Sequence, residues 1–430
     1  MPEDTDDITG LGVMHLLEAI RRSESRTWLK SWGRSSRMSA GISPAQEECP
    51  VGPHSSAPEP RVTFPRRPQL WTSCVFVLLV AGGPTLAPGG ASEAGVKRLI
   101  YYGWGVRDTQ YVRDHWREME EMPFDGTGIV VAIDRSKLET GGTGNQLGWQ
   151  VMGPRAFQIE EFREAIEDLR TARWRRFTEN FLPVALSSSV SAEGLTWFDD
   201  ERWRTIVNNF GVVARIAREA GLRGLILDPE HYNYALFSYP SQRQKVDKPF
   251  AAYRDAARMR GRQVMTAIAA HLPRAVLLSL FGYTLPLREV HRGRSIEEAN
   301  YGLLPAFYDG LLEAMPAGAT LVDGYEFAYP FKRRGQFIKA YREIHDEAVT
   351  LSAVPEEYRK KVKAGFGLWL DYGNRPDFFT PDEFRQAVAS ALEVSDGYVW
   401  LYTQRVGFFP LSEIAPAYLD AIATARQGGR

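Results

Sequence analysis

Short runs of hydrophobic residues alternate with amphipathic segments along most of the chain. From residue 97 onward, eight of these runs are continuously apolar instead of alternating with polar positions. Continuous apolar runs are typical of parallel strands that are buried on both faces of a sheet. The predicted strands are 98–103, 127–133, 180–186, 223–228, 275–282, 319–324, 363–371 and 397–402.

The segments between these strands have the period of a helix. Phe162, Ile166 and Leu169 are spaced so that they lie on one helical face. Thr380 is followed by Pro381 and then by Glu383, which predicts a helix that begins with a capping box. Eight helices are predicted to alternate with the strands, and examples are 159–172, 199–221, 249–271 and 380–395.

Alternation of strands and helices predicts an α/β fold, a single (β/α)8 TIM barrel spanning residues 96–430. Helix-to-strand connections are short, whereas strand-to-helix connections such as 230–250 are long and rich in aromatic residues. Long loops on one rim indicate the functional face, which in barrels lies at the carboxyl ends of the strands. An open, doubly wound sheet is the alternative, but no G-x-G-x-x-G motif follows the first strand.

The first 95 residues differ from this pattern. Residues 1–67 have no sustained period and are interpreted as a disordered or spurious upstream extension. Residues 68–95 form an apolar segment and linker typical of a signal peptide, which with its basic flank extends over 66–94. We therefore expect a bacterial protein that is secreted or periplasmic, and a membrane anchor at 70–81 is the alternative.

Composition narrows the classes of function. The chain has 430 residues, of which 44% are hydrophobic, so it can form a large core. A formal net charge of -1 argues against nucleic acid as a partner, because phosphate binding needs a basic excess. The 2 cysteines, Cys49 and Cys74, both precede the predicted barrel, which excludes a disulfide framework or thiol nucleophile there. Oligomeric state is left open.

Acidic residues follow several of the predicted strands. Asp228 and Glu230 end the fourth strand, Asp323 and Glu326 the sixth, and Asp371 the seventh. Parallel strands bring these ends to one rim, where paired carboxylates can cleave a glycosidic bond. One carboxylic acid protonates the leaving oxygen and a second carboxylate, about 5–9 Å away, acts as nucleophile or base.

Glu230 is the predicted general acid, and its neighbours Asp228 and His231 are expected to stabilise its proton. The partner carboxylate is left open among Glu326, Asp323 and Asp371. Aromatic rings at the same rim are expected to stack on sugar rings. The predicted substrate-binding residues are Trp104, Asp134, His231, Tyr232, Tyr283, Tyr325, Trp369, Tyr372, Trp400 and Tyr402.

These residues resemble those of the (β/α)8 glycoside hydrolases. The pair Asp228-x-Glu230 is similar to the end of the chitinase-type motif, in which the Glu is the acid and the preceding Asp orients it. The resemblance implies that Tyr325 and Trp400 line the sugar site. The chain departs from the fuller motif at Leu225, where an earlier Asp is expected. The region also resembles secreted bacterial glycosidase-like proteins.

Two other classes of function are kept as alternatives. A non-catalytic carbohydrate-binding barrel would show the same aromatic residues with carboxylates that are too far apart. A metal-dependent hydrolase or lyase is less favoured, because the 7 histidines are scattered without an H-x-H or H-E-x-x-H motif. We therefore predict an enzyme, a glycosidase, that acts on carbohydrate without a metal or other cofactor.

Overall fold

The computed structural model describes residues 96–137, 142–188, 190–242 and 247–427. All of them belong to one compact unit, Ala94–Arg430. The interpretations of 1–67 as an extension and of 68–95 as a signal segment or anchor lie outside the described residues and stay predictions. None of the helices described is both long enough and apolar enough to cross a bilayer.

The described strands are short, and all but the three at 107–108, 407–408 and 411–412 coincide with predicted hydrophobic runs. They are β1 (Arg98–Tyr101), β2 (Arg107–Asp108), β3 (Gly126–Thr127), β4 (Ile129–Val130), β5 (Phe181–Ala185), β6 (Gly224–Asp228), β7 (Val276–Ser279), β8 (Thr320–Asp323), β9 (Val362–Ala364), β10 (Phe366–Trp369), β11 (Tyr398–Tyr402), β12 (Gly407–Phe408) and β13 (Leu411–Ser412).

Helices fill most of the segments between these strands, as predicted. They are α1 (Thr109–Glu121), α2 (Leu147–Gln150), α3 (Arg163–Thr171), α4 (Asp200–Glu219), α5 (Tyr239–Gln242), α6 (Phe250–His271), α7 (Thr284–His291), α8 (Leu304–Ala314), α9 (Arg334–Arg342), α10 (Pro355–Lys361), α11 (Pro381–Val394) and α12 (Pro416–Gln427). The predicted capping box is present at α11, where the Glu383 amide donates to Thr380 Oγ1 at 3.2 Å.

The main strands pair in parallel, which confirms the prediction of a parallel α/β fold. They form two sheets, with the orders β10-β11-β1-β3 and β5-β6-β7-β8-β9. The expectation of one continuous sheet needs a correction. The segment 362–369 pairs with β8 before Gly365 and with β11 after it, so the main strands are divided between two sheets. An isolated parallel bridge between Gly128 and Phe181 connects the other two edges of the sheets.

Burial explains why the central strands are continuously apolar. All five residues of β6 are buried, and Leu225 and Ile226 have no exposed surface. Both faces of this strand are therefore covered by side chains, as in parallel sheets flanked by helices. Because β6 is hydrophobic as far as Leu227, Asp228 is the first residue of the strand with an ionisable side chain.

A buried carboxylate connects strand starts that are distant in the sequence. The Tyr398 hydroxyl donates to Glu179 Oε2 at 2.6 Å, and Arg98 and Arg223 lie 3.6 and 3.5 Å from the same carboxylate. These residues stand at or beside the amino ends of β1, β6 and β11. The candidate acids follow the carboxyl ends of the parallel strands, at the opposite edge of the sheets.

Candidate active site

The carboxyl end of β6 carries two acids joined by one hydroxyl. The Tyr232 hydroxyl lies 2.7 Å from Asp228 Oδ2 and 2.7 Å from Glu230 Oε2. Asp228 Oδ1 also accepts a hydrogen bond from the Glu230 amide at 3.0 Å. Both carboxyl groups are almost fully buried, with 4% of each residue exposed. The segment that follows the strand therefore turns back so that Asp228 and Glu230 share Tyr232.

Glu326 acts with these two acids on the side chain of Tyr102. Burial raises the pKa of Tyr102 well above its usual range, and the charges of Asp228, Glu230 and Glu326 raise it further. Charges that act on one hydroxyl lie in its neighbourhood. Glu326 itself is 3% exposed. Thus β1, β6 and the end of β8 each contribute to one polar cluster.

The backbone before Glu326 is in a conformation that side chains rarely adopt. Tyr325 has φ 39 and ψ 63, in the left-handed region. Such a conformation costs about 1–3 kcal/mol in a residue other than glycine and persists only where its surroundings hold it. The Tyr325 amide donates to Asp323 Oδ1 at 3.1 Å, and the Glu326 amide donates to the Leu280 carbonyl at 3.1 Å.

Asp323 is occupied by contacts with the neighbouring strand end. Besides the Tyr325 amide, it accepts hydrogen bonds from the Gly282 amide and the Thr284 hydroxyl, both at 3.0 Å. Burial raises the pKa of this carboxyl to about 6, although the hydrogen bonds oppose the shift. Through its hydrogen bonds, Asp323 connects the carboxyl ends of β7 and β8.

Asp371 has a similar set of contacts at the end of β10. Its Oδ1 accepts hydrogen bonds from Trp369 Nε1 at 2.8 Å and from the Gln404 amide at 2.9 Å. Its Oδ2 accepts one from the Arg405 amide at 2.8 Å. The carboxylate therefore holds the loop that follows β11 against an indole of β10.

Two of the three predicted tryptophans form the interior of an aromatic cluster. Trp369 and Trp400 are 1% and 0% exposed, and Trp400 Nε1 donates to the Gly324 carbonyl at 2.8 Å. The Tyr329 ring lies 5.5 Å from Trp369 and 5.3 Å from Trp400. At its edge, Tyr402 stacks on Tyr329 at 5.4 Å. The cluster presents part of its surface to solvent at Tyr102, Tyr372 and Tyr402.

His231 is a neutral side chain in this structure. Its ring stacks on that of Tyr301 with a centroid distance of 3.9 Å, and its buried Nε2 has no hydrogen-bond partner. Burial lowers the pKa of His231 to about 3. The imidazole therefore carries no positive charge near neutral pH with which to stabilise a carboxylate.

Three further residues that were predicted to bind substrate differ from one another in burial and contacts. Tyr283 is fully buried and its hydroxyl donates to Asp309 Oδ1 at 2.9 Å. Asp134 lies in a surface cleft of about 590 Å³, and hydrogen bonds from Lys137 and Ser136 lower its pKa to about 2. Trp104 is 58% exposed.

Three side chains of the site were not predicted from the sequence. These are Tyr102 beside the carboxylates, Tyr329 in the aromatic cluster, and Trp149, whose ring lies 4.9 Å from that of Tyr232. Tyr102 directly follows β1, so its position at a strand end could have identified it from the sequence as a site residue. Trp149 and Tyr329 follow their strands at a distance, and no local pattern identifies them.

A metal site is not evident in the part of the chain that the structure describes. Within those residues, no group of three or more His, Cys, Asp or Glu side chains is arranged to hold a metal ion.

Known proteins provide weak matches to this chain. No family model matches it, and no curated protein sequence matches it significantly. It is similar in structure to a GH18 chitinase from Pseudoalteromonas aurantia, with 10% identity over 76% of this chain and 100% of that one and a TM-score of 0.40.

A β-mannanase and an exo-β-1,4-mannosidase show a similar degree of likeness. The β-mannanase of the blue mussel Mytilus edulis has 10% identity over 78% of this chain and 92% of its own, with a TM-score of 0.41. The exo-β-1,4-mannosidase of Opitutaceae bacterium strain TAV5 has 13% identity over 79% of this chain and 62% of its own, with a TM-score of 0.43. Because these identities and TM-scores are low, the likeness does not establish the function of this chain.

Proposed function

We propose that this protein is a glycoside hydrolase in which Glu230 is the general acid and Glu326 is the partner carboxylate. The observation that carries the proposal is the pair of buried acids Asp228 and Glu230 at one tyrosine hydroxyl, with the buried Glu326 near enough for its charge to act with theirs on Tyr102. Glycoside cleavage needs two carboxyl groups from different parts of the chain facing one bond. Glu230 and Glu326 follow different strands, β6 and β8, whose carboxyl ends lie at one edge of the same sheet.

Tyr232 supports the assignment of Glu230 as the acid. A hydroxyl has one proton to donate, yet that of Tyr232 lies 2.7 Å from a carboxyl oxygen of both Asp228 and Glu230. Two ionised acids at one hydroxyl also repel each other. In this proposal Glu230 transfers a proton to the leaving oxygen, and Asp228 remains beside it as a neighbour on the same hydroxyl.

The remaining acids take supporting roles in this proposal. Asp323 and Asp371 direct their oxygens to backbone amides and neighbouring side chains, so they hold the ends of β7, β10 and β11 in place. Glu326 is thereby preferred over both as the second carboxylate. Whether it attacks the sugar or activates water sets retention or inversion of the anomeric carbon.

Carbohydrate is the proposed substrate, because half-buried aromatic rings surround the acids. Such rings stack on the apolar faces of sugars and exclude water. Those with partly exposed surface are Tyr102, Trp149, Tyr232, Tyr372 and Tyr402. Trp369 and Trp400 support this surface from beneath, with their indole nitrogens donating to Asp371 and Gly324.

We also propose that the two sheets belong to one (β/α)8 barrel. Only Gly365 separates β9 from β10, and the Gly128–Phe181 bridge links the remaining edges. The contacts of Glu179 with residues beside β1, β6 and β11 support the same arrangement at the opposite edge.

The test is turnover of aryl glycosides and of plant and algal polysaccharides. We expect Glu230→Gln and Glu326→Gln each to lower kcat by about 10²–10⁴ while the protein stays folded. Glu121→Gln, on the exposed end of α1, is the matched control and should retain wild-type activity. Sugar binding without turnover by the wild type would instead indicate a carbohydrate-binding protein, and loss of turnover with a chelator would indicate a metal-dependent enzyme.

A further inference from the structure

We propose that Arg288 and Glu343 are positioning residues, which hold Glu326 in the site by fixing the side chain of Tyr325. The inference rests on the proposed function, in which Glu326 is the second carboxylate. It assigns to Tyr325 a role different from lining the sugar site: its hydroxyl is engaged by a partly buried ion pair on the helices outside the sheets.

Tyr325 and Glu326 direct their side chains to opposite sides of the chain. The Tyr325 ring packs among Phe327, Phe331 and Phe366, with centroid distances of 5.7, 6.3 and 6.3 Å. The charge of Glu326 acts instead, with those of Asp228 and Glu230, on the side chain of Tyr102. Because the two residues are consecutive, the direction taken by the tyrosine side chain constrains where the glutamate can lie.

The Tyr325 hydroxyl is held from two directions. Arg288 Nη2 donates to it at 2.8 Å, and the hydroxyl donates to Glu343 Oε2 at 2.5 Å. Arg288 Nε lies 3.5 Å from Glu343 Oε1, which closes a triangle of three groups. Tyr325 is 1% and Glu343 9% exposed, so water competes little with these contacts.

Arg288 and Glu343 are themselves fixed by their elements. Arg288 belongs to α7, and its guanidinium lies 3.6 Å from the centroid of the Phe327 ring. Glu343 is the first residue of a π-helical segment, Glu343–Glu347, that continues α9. Segments of this kind are rare and recur at functional sites. Two separate helices thus converge on one tyrosine hydroxyl.

The local backbone depends on this anchor. The left-handed Tyr325 is restrained at its amide by Asp323, and Glu326 is restrained at its amide by Leu280. These bonds fix the main chain, and the buried Tyr325 ring is packed among the phenylalanine rings. The Arg288–Tyr325–Glu343 triangle holds the hydroxyl end of that ring, and the combination sets the direction of Glu326.

The experiment compares Tyr325→Phe and Glu343→Ala with Tyr358→Phe. Tyr358 is a matched control, because its buried hydroxyl donates to the Ile344 carbonyl, beside Glu343, and not to Tyr325. With an aryl glycoside, we expect Tyr325→Phe and Glu343→Ala to lower kcat about tenfold or more at nearly unchanged KM. Tyr358→Phe should stay within about twofold of wild type. Equal kcat values in Tyr325→Phe and wild type would overturn the inference.

A second measurement separates this inference from the proposed function. In protein labelled with ¹³C at glutamate carboxyl carbons, the Glu326 signal is identified by its loss in Glu326→Gln. We expect Tyr325→Phe to shift or broaden this signal, and Tyr358→Phe to leave it unchanged. If the wild type turns over no glycoside, the proposed function fails while this test still applies. An unaltered Glu326 signal in Tyr325→Phe would exclude a positioning role.

Discussion

Contacts, more than residue type, distinguish the acids at the strand ends. Glu230 shares a tyrosine hydroxyl with Asp228, whereas Asp323 and Asp371 accept hydrogen bonds from backbone amides. A carboxylate that accepts several such bonds is held in one orientation and serves to connect loops. The same side chain can therefore act as a reacting group or as a structural acceptor, depending on which donors surround it.

We predict that the burial of His231 makes the folded protein less stable in acid. Burial lowers the pKa of His231 to about 3 in the folded protein, whereas a histidine in an unfolded chain titrates near pH 6.5. The unfolded state therefore binds more protons between these values, so the free energy of unfolding falls as pH decreases through this window. We expect His231→Phe, which retains a ring against Tyr301, to lose less stability than wild type between pH 7 and pH 4.

Urea denaturation at each pH measures this difference. The effect reaches at most about 5 kcal/mol over the whole window, at about 1.36 kcal/mol per pKa unit. Parallel curves of stability against pH for wild type and His231→Phe would show that His231 is not the group responsible.

The elements place the site through the ends of the strands. At β8, the sequence Asp323-Gly324-Tyr325-Glu326 ends the strand, reverses the backbone at Tyr325 and brings Glu326 to the other acids. Gly324 permits this close approach. A Cβ atom there would lie 2.5 Å from the Ser279 carbonyl oxygen and 3.0 Å from Trp400 Nε1.

Substitution of Gly324 should therefore disturb both stability and activity. We expect Gly324→Ala to lower the free energy of unfolding by about 1–3 kcal/mol, because the end of β8 must move away from β7. It should also lower kcat, since Glu326 follows two residues later. Thermal denaturation and turnover measure the two effects.

Gly335→Ala is the matched control for this substitution. Gly335 lies in α9, and a Cβ atom there would contact nothing within 4 Å. We expect it to leave activity unchanged and to stabilise the helix by up to about 1 kcal/mol. If both glycine variants behaved alike, close packing at the end of β8 would not be the cause.

At the scale of the whole molecule, Glu179 connects parts of the chain that are far apart in sequence. It accepts from Tyr398 and lies near Arg98 and Arg223, while being 7% exposed itself. A buried carboxylate with several donors stabilises the arrangement of the elements that carry them, and its removal leaves those donors unsatisfied.

We expect Glu179→Ala to lower the free energy of unfolding by about 1–3 kcal/mol, measured by urea denaturation. Because these contacts lie at the edge opposite the acids, kcat should change little under conditions where the variant is folded. Glu160→Gln, at an exposed side chain, is the control and should retain wild-type stability. A fully stable Glu179→Ala protein would show that the network is not needed to hold the strands together.

Most of the secondary structure was predictable because its causes are local. The apolar run 223–228 contains β6, Gly224–Asp228, and the capping box at Thr380 begins α11, as expected. The position of Asp228 and Glu230 at the end of a buried strand could likewise be predicted from the sequence. The two-sheet pairing was not, because the change of partner at Gly365 depends on where neighbouring strands lie.

The sequence by itself determined the parallel α/β plan and the group of acids at the strand ends, since hydrophobic period and caps act within a few residues. Only the tertiary structure decided which side chains meet. Tyr102 lies beside acids that follow it by more than a hundred positions, and Tyr325 packs toward Glu343 instead of facing the acids. Burial, pKa and hydrogen bonding depend on such distant neighbours, and no local pattern records them.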